Sequence, residues 1–238
     1  MLLLGITWKS AAQSPAECKT WLMRYVDSFE GLQKPGKQPY FLHMSVTTVP
    51  AKDSPYTQAS YPSQDIDVKI YASASQLAYE STYMAFYQDA RETYTVVHPS
   101  KQILKSASAG KIGGKGETQL SAQLSVLKRA MIEKGRLASC KETSWNGKPV
   151  QELVLVLDAQ NQQALGMRQI TYVFNTSYQQ VIRQTIEYMP GHRYLQQTIV
   201  FYQIDTHYRG HFPANASAHI YTGGKLADRY RGYTVEVE

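Results

Sequence analysis

Cysteine is scarce in this 238-residue chain, with two residues in all, and no apolar run approaches the roughly 18 residues that a membrane-crossing helix needs. Two cysteines cannot supply the repeated, closely spaced thiolates of a zinc site. Other signatures are missing too. There is no Gly-x-Ser-x-Gly elbow to present an α/β-hydrolase nucleophile. The glycine-rich "GKIGGKG" (110–116) lacks the Gly-Lys-Ser/Thr ending of a phosphate loop. No sequence repeat is visible, and nothing calls for a cofactor. The net charge of +6 is dispersed, because the densest basic stretches, "LKRAMIEKGR" (127–136) and "ADRYRGY" (227–233), are interrupted by acids. That argues against a nucleic-acid footprint and leaves, at most, peripheral attraction to a membrane surface or an acidic partner.

What the chain has in excess is tyrosine, eighteen against six phenylalanines. A ring with a polar tip suits strands that have one half-wet face, or a surface that lines a ligand. Tyr79, Tyr83 and Tyr87 recur every four residues, a spacing that fits one face of a helix or of a strand. The neighbouring Thr82, Thr93, Thr95, Val96 and Val97 favour strand, and "QDAR" (88–91) breaks the run. The expectation is two adjacent strands, 76–87 and 92–97, with the three tyrosines on one face.

Elsewhere the periodicity is plainer. Trp21, Leu22, Tyr25, Val26 and Phe29 form the apolar stripe of a helix, with Gly31 as its stop. Strands are expected over 40–49 and 65–73, separated by a loop (50–64) holding three prolines. A second helix is expected over 118–135, with Thr118 as cap, Leu120, Leu124, Leu127 and Met131 on one side, and Gly135 as stop. Asn146-Gly147 marks a hairpin, and strands over 167–176, 179–189 and 193–205 continue a meander, closed by short strands in "SAHIYTGG" and "YRGYTVEVE". The fold class is α+β: one antiparallel sheet with helices on one face.

Reactive chemistry is sparse. His207, His211 and His219, with Asp205, are legitimate zinc ligands by type. Gly210 and Pro213 deny them a helical spacing, so they read as strand-end histidines, with a metal-dependent hydrolase as the alternative. Glu187 and Asp158 could pair as acid and base, but nothing in the sequence brings them together. Asn175 and Asn215 open glycosylation-type triplets at turns. Ser10-Ala11-Ala12 has the small residues of a signal-peptidase site, so residues 1–12 are read as a signal remnant and 13–238 as one domain. Glu17 directly before Cys18 does not suit a lipid-anchored cysteine. Cys18 and Cys140 either form one long-range disulfide or remain two buried thiols.

The order of elements, and above all "YMAFYQDARETYTVVHPSKQIL" (83–104), resembles the periplasmic lipoprotein-carrier (LolA-like) superfamily. Asp89 is followed here by Ala90 where the family often has glycine, and the family's Arg-aromatic strand before it is absent. The resemblance implies a curved antiparallel half-barrel with helices packed on its concave face, enclosing an apolar cavity. It further implies an exported, non-enzymatic carrier or sensor, periplasmic or secreted, whose partners are lipid or lipoprotein acyl chains. Tyr79, Tyr83, Tyr87, Trp21 and Tyr25 are the expected ligand-binding residues. An envelope module that binds another protein is a further alternative.

Overall fold

The computed structural model describes residues 14–33, 39–52, 64–108, 128–210 and 212–237. Twelve strands form one sheet: β1 (Tyr40–Pro50), β2 (Gln64–Ala72), β3 (Gln76–Ser81), β4 (Met84–Asp89), β5 (Glu92–Val97), β6 (Gln102–Ala107), β7 (Arg136–Trp145), β8 (Lys148–Val156), β9 (Met167–Asn175), β10 (Gln180–Tyr188), β11 (Tyr194–Asp205) and β14 (Thr234–Val237). Their order is β14-β6-β5-β4-β3-β2-β1-β11-β10-β9-β8-β7. Two meanders therefore run outward from a central β1–β11 pair. The sheet is curved, ends on β7 and β14, and does not close into a barrel. A small second sheet pairs β12 (Tyr221–Thr222) with β13 (Lys225–Leu226).

Among the described residues, three helices accompany the sheet: α1 (Pro15–Gln33), α2 (described over residues 128–134) and α3 (Ala159–Leu165). α1 opens with a capping box in which Ser14 N–H donates to the Glu17 carboxylate at 2.7 Å and Glu17 N–H donates to Ser14 Oγ at 3.3 Å. Trp21, Leu22, Tyr25 and Val26 are all buried against the concave face, as their spacing demands. A disulfide joins Cys18 of α1 to Cys140 of β7, which settles the pairing that the sequence left open. At the foot of α2, a side chain on Gly135 would meet Met131 O at 2.6 Å and Leu155 at 2.8 Å, so only glycine allows the chain to turn so tightly into β7.

Several expectations are corrected. Residues 76–87 are not one strand. Ser81 Oγ bonds both the N–H and the carbonyl of Met84, at 3.2 and 2.9 Å, and folds Thr82-Tyr83 into a hairpin turn. α1 runs past Gly31 to Gln33. Of "SAHIYTGG", only Tyr221–Thr222 is strand; Ala216–His219 forms a 3-10 turn, which the Asn215 side chain caps at Ala218 N–H. The final strand leaves the meander and pairs parallel with β6, Val235 opposite Ile103. α3 was not foreseen, although Asp158 caps its start and Gly166, at φ +65°, ends it. The signal-type residues 1–12, the glycine-rich loop from 109 onward, and Thr118, Leu120, Leu124 and Leu127 lie outside the described residues, as does the side chain of Phe29.

The strand register divides the hydrophobic core between the two faces. On β2, Ile70 faces Leu42 of β1 and Tyr79 of β3, and joins the core beneath α1. Its neighbour Tyr71 points the other way, toward Ala78, Tyr87 and Tyr94, and joins a second core under residues 212–230. One sheet thus carries α1 and α2 on the concave face of one half, and the C-terminal segment on the opposite face of the other half.

Candidate functional site

Between the three helices and the sheet lies a cavity of about 260 Å³. α1 contributes Tyr25 and Val26; α2 contributes Lys128, Met131 and Ile132; α3 contributes Leu165. Its floor is Met167, Ile170 and Tyr172 of β9 with Gln184 and Ile186 of β10. The register makes this floor continuous, because Ile170 lies opposite Ile186 and Tyr172 opposite Gln184. The walls are mostly apolar, and polar atoms enter at few points. Tyr25 O–H donates to Gln184 Oε1 at 2.6 Å. The Lys128 ammonium lies 6.0 Å from the centre of the Tyr25 ring, close enough to feel its π face. Burial raises the Tyr25 hydroxyl well above its ordinary value, with Tyr172 and Tyr40 adding to the effect, and burial lowers Lys128.

The cover of this cavity is held at several points. Arg129 of α2 pairs with Asp27 of α1 at 2.5 Å, and Lys19 donates to Glu133 O at 3.3 Å. Arg24 bonds Gln179 in the β9–β10 turn. Trp21 packs edge-on against Phe174, with ring centres 5.6 Å apart. Together with the disulfide, these contacts hold α1 across the sheet while leaving a space beneath its middle.

Of the five residues expected to bind a ligand, Tyr25 lines this cavity and Trp21 packs into the same core. The tyrosine stripe is not brought to them. Tyr79 points to the concave face with Phe86. Tyr83, 40% exposed, occupies the hairpin turn. Tyr87 lies on the opposite face, in the second core. The inserted turn is the reason: the four-residue spacing holds in sequence but not along one strand. Most of the lining residues escaped sequence reading, although the alternation of Ile170 with Tyr172 and of Gln184 with Ile186 already set each pair on one face.

Around Tyr87 the structure builds a different kind of site. Its hydroxyl donates to Glu80 at 2.7 Å and meets the Tyr230 hydroxyl at 3.0 Å. Its ring stacks on His219, with centres 4.1 Å apart. Arg229 reaches Glu80 at 3.3 Å and donates to His219 O at 2.9 Å. His219 is 5% exposed, and burial pushes its imidazole down to about 4; Glu80 opposes that shift and Arg229 adds to it. This histidine is a packed ring, not a free ligand. His207 is exposed and bonds Thr206, while His211 lies outside the described residues. Among the described residues, no group of three histidine, cysteine or acidic side chains is placed to hold a metal. Glu187 is engaged by Arg168 and Gln169, and Asp158 caps α3, so neither carboxylate serves the other.

Fold and cavity together define a class, an open, curved antiparallel sheet with an apolar hollow under its helices. No protein-family model matches the chain, and no curated protein matches it in sequence. Solved structures similar to it include lipoprotein LppX from Mycobacterium tuberculosis, at 13% identity over 85% of this chain and 100% of that one, with a TM-score of 0.48. LprF from Mycobacterium bovis is also similar, at 13% identity over 87% and 100%, with a TM-score of 0.42. So is a LolA-superfamily protein from Nitrosomonas europaea, at 8% over 77% and 92%, with a TM-score of 0.27. These are likenesses of fold at low identity, and no residue role is taken from them.

Proposed function

We propose that this chain is an exported, non-enzymatic carrier or sensor that takes an acyl chain of a lipid or lipoprotein into the cavity beneath α1. The observation that supports this is the lining: Val26, Met131, Ile132, Leu165, Met167, Ile170 and Ile186 enclose a space that an unbranched chain would fill. An apolar hollow left empty forfeits dispersion contacts on every wall, and an alkyl chain restores them. The volume of about 260 Å³ lies just below the roughly 300–1,000 Å³ of sites for drug-sized ligands, which suits one chain rather than several. The Cys18–Cys140 disulfide supports an oxidising compartment, periplasmic or extracellular. In this reading Tyr25 is a lining residue and Trp21 braces α1, while Tyr79, Tyr83 and Tyr87 take no part in the cavity.

The test is binding of a fluorescent fatty-acyl probe, with mass spectrometry of any lipid that co-purifies. Ile170→Trp fills the floor and should weaken the probe about tenfold or more, since tenfold is about 1.4 kcal/mol. Thr171→Ala, one residue along β9 and so on the other face, should leave binding unchanged. Wild-type protein that carries no lipid and binds no probe overturns the reading.

A further inference from the structure

We infer that the occupant of this cavity carries a carbonyl oxygen, that of an acyl ester or amide, and that Tyr172 and Gln184 hold this oxygen inside the hollow. The inference rests on the cavity reading above and adds the point at which the ligand is recognised. Tyr172 of β9 and Gln184 of β10 lie directly opposite in the register, so both side chains rise from one patch of the cavity floor. They are only 4% and 9% exposed. The Tyr25 O–H occupies the amide oxygen of Gln184 at 2.6 Å, which leaves the Nε2 hydrogens to be placed. Among the described residues, neither Gln184 Nε2 nor the Tyr172 hydroxyl has a hydrogen-bond partner.

Buried donors are normally bonded, and one left open in an apolar space costs free energy that a suitable acceptor returns. Two such donors, side by side among Ile170, Ile186 and Met167, make a single polar spot of the kind that orients a ligand in an apolar site. A carbonyl oxygen has two lone pairs and can accept from both donors at once. A methylene in its place leaves both open. The donors are also fixed in kind. Burial holds the Tyr172 hydroxyl well above its ordinary range, so it keeps its proton, and a glutamine amide does not ionise. Tyr25 packs edge-on against the Tyr172 ring, with centres 5.4 Å apart, and its bond to Gln184 sets which end of the amide meets the ligand. Neutral donors suit a neutral acceptor, because a carboxylate would shed far more hydration for the same two bonds. From this spot the alkyl chain would run along Ile170, Ile186 and Met131.

The experiment measures competition of the fluorescent acyl probe by methyl decanoate, N-methyldecanamide and methyl decyl ether, ligands of matched chain length. Wild-type protein should bind at least one of the two carbonyl ligands about tenfold more tightly than the ether, the scale of two net hydrogen bonds. Which of the two leads distinguishes an ester-linked source from an amide-linked one. Tyr172→Phe keeps the ring and removes one donor, so the ratio of carbonyl to ether affinity should fall about threefold or more. The Tyr25→Phe, Gln184→Met double variant removes the amide without stranding the Tyr25 hydroxyl, and the ratio should fall likewise. Thr171→Ala, on the other face of β9, should keep the wild-type ratio. An ether that binds as tightly as both carbonyl ligands overturns the recognition inference and leaves the cavity reading standing. A wild-type ratio that persists in both variants overturns it too, because the two donors then do not carry the preference. If none of the three ligands competes, the cavity reading fails and this inference with it.

Discussion

Beneath α1 the sheet is covered by Leu22, Val26, Leu153, Leu155 and Ile170, side chains that pack by shape and leave a hollow. Over β3–β6, on the opposite face, the covering rings are Tyr87, Tyr94, His219 and Tyr230, joined at their polar tips to Glu80, Glu92 and Arg229. The difference teaches how one sheet can be both yielding and fixed. Apolar contacts are non-directional and do not by themselves fix one arrangement. Hydrogen-bonded rings are directional, and the second core holds the C-terminal segment in one arrangement. The half with the apolar cover is also the half with a covalent tie, Cys18–Cys140.

The largest effect should come from cutting that tie. Closing a loop over a sequence separation of 122 residues removes unfolded-state entropy worth about 5 kcal/mol in the chain-entropy model, and measured losses on removal run about 2–5 kcal/mol. The Cys18→Ala, Cys140→Ala double variant should therefore unfold at clearly lower urea. Hydrogen exchange should show α1 amides losing protection while β3–β6 keep theirs. Equal loss in both regions would mean that the two cores are one cooperative unit, and the comparison would break.

The next effect is read in pH. His219 is neutral in the fold, with a folded value of about 4 against 6.5 for an ordinary histidine. Above pH 6.5 neither the folded nor the unfolded form is protonated, and the full stability is present. As pH falls from 6.5 toward 4, the unfolded chain takes a proton that the fold refuses. Stability should drop by about 1.4 kcal/mol per pH unit, roughly 3 kcal/mol in all, and then level. The groups facing the ring set this window: Glu80 favours the imidazolium, Arg229 opposes it, Tyr87 stacks on it and Phe212 meets it edge-on. His219→Phe preserves the stacking and should flatten this part of the pH profile. A wild-type profile already flat between pH 6.5 and 4 would show that the second core is not closed to protons.

Much of this architecture is legible in the residues, and the illegible parts have identifiable causes. β5 was expected over 92–97 and is found there, because threonine and valine at alternate positions leave little choice. Asn146 and Gly147, at φ +51° and +72°, form the expected hairpin turn. Cys18 and Cys140 were a possible pair, but only long-range packing brings their Cα atoms to 6.4 Å. The cavity was hidden for the same reason, since its walls come from five elements whose mutual positions no local pattern encodes. The parallel docking of β14 on β6 depends on where the chain crosses the sheet, which strand propensity does not carry. Tyr87 misled because a tyrosine repeat says nothing of the turn inside it.

The smallest effect belongs to that repeat and tests the division most finely. Tyr83 is 40% exposed, stands at the tip of the β3–β4 hairpin and belongs to neither core. Tyr87, four residues on, is 1% exposed and bonded through its hydroxyl to Glu80 and Tyr230. If the three tyrosines formed one ligand-lining stripe, Tyr83→Ala would weaken the acyl probe and destabilise the fold together. With the faces arranged as found, Tyr83→Ala should change stability by no more than about 0.5 kcal/mol, the range of ordinary surface substitutions, and should leave probe affinity unchanged. Tyr87→Phe, a far gentler change in volume, should cost more, about 1–3 kcal/mol, because it takes the buried hydroxyl partner from Tyr230 and one hydrogen bond from Glu80, which keeps Arg229. Urea titrations of the two variants with probe titrations alongside decide it. A larger loss for Tyr83→Ala than for Tyr87→Phe, or any loss of probe binding in Tyr83→Ala, would return the stripe to a functional role and place a ligand surface outside the hollow beneath α1.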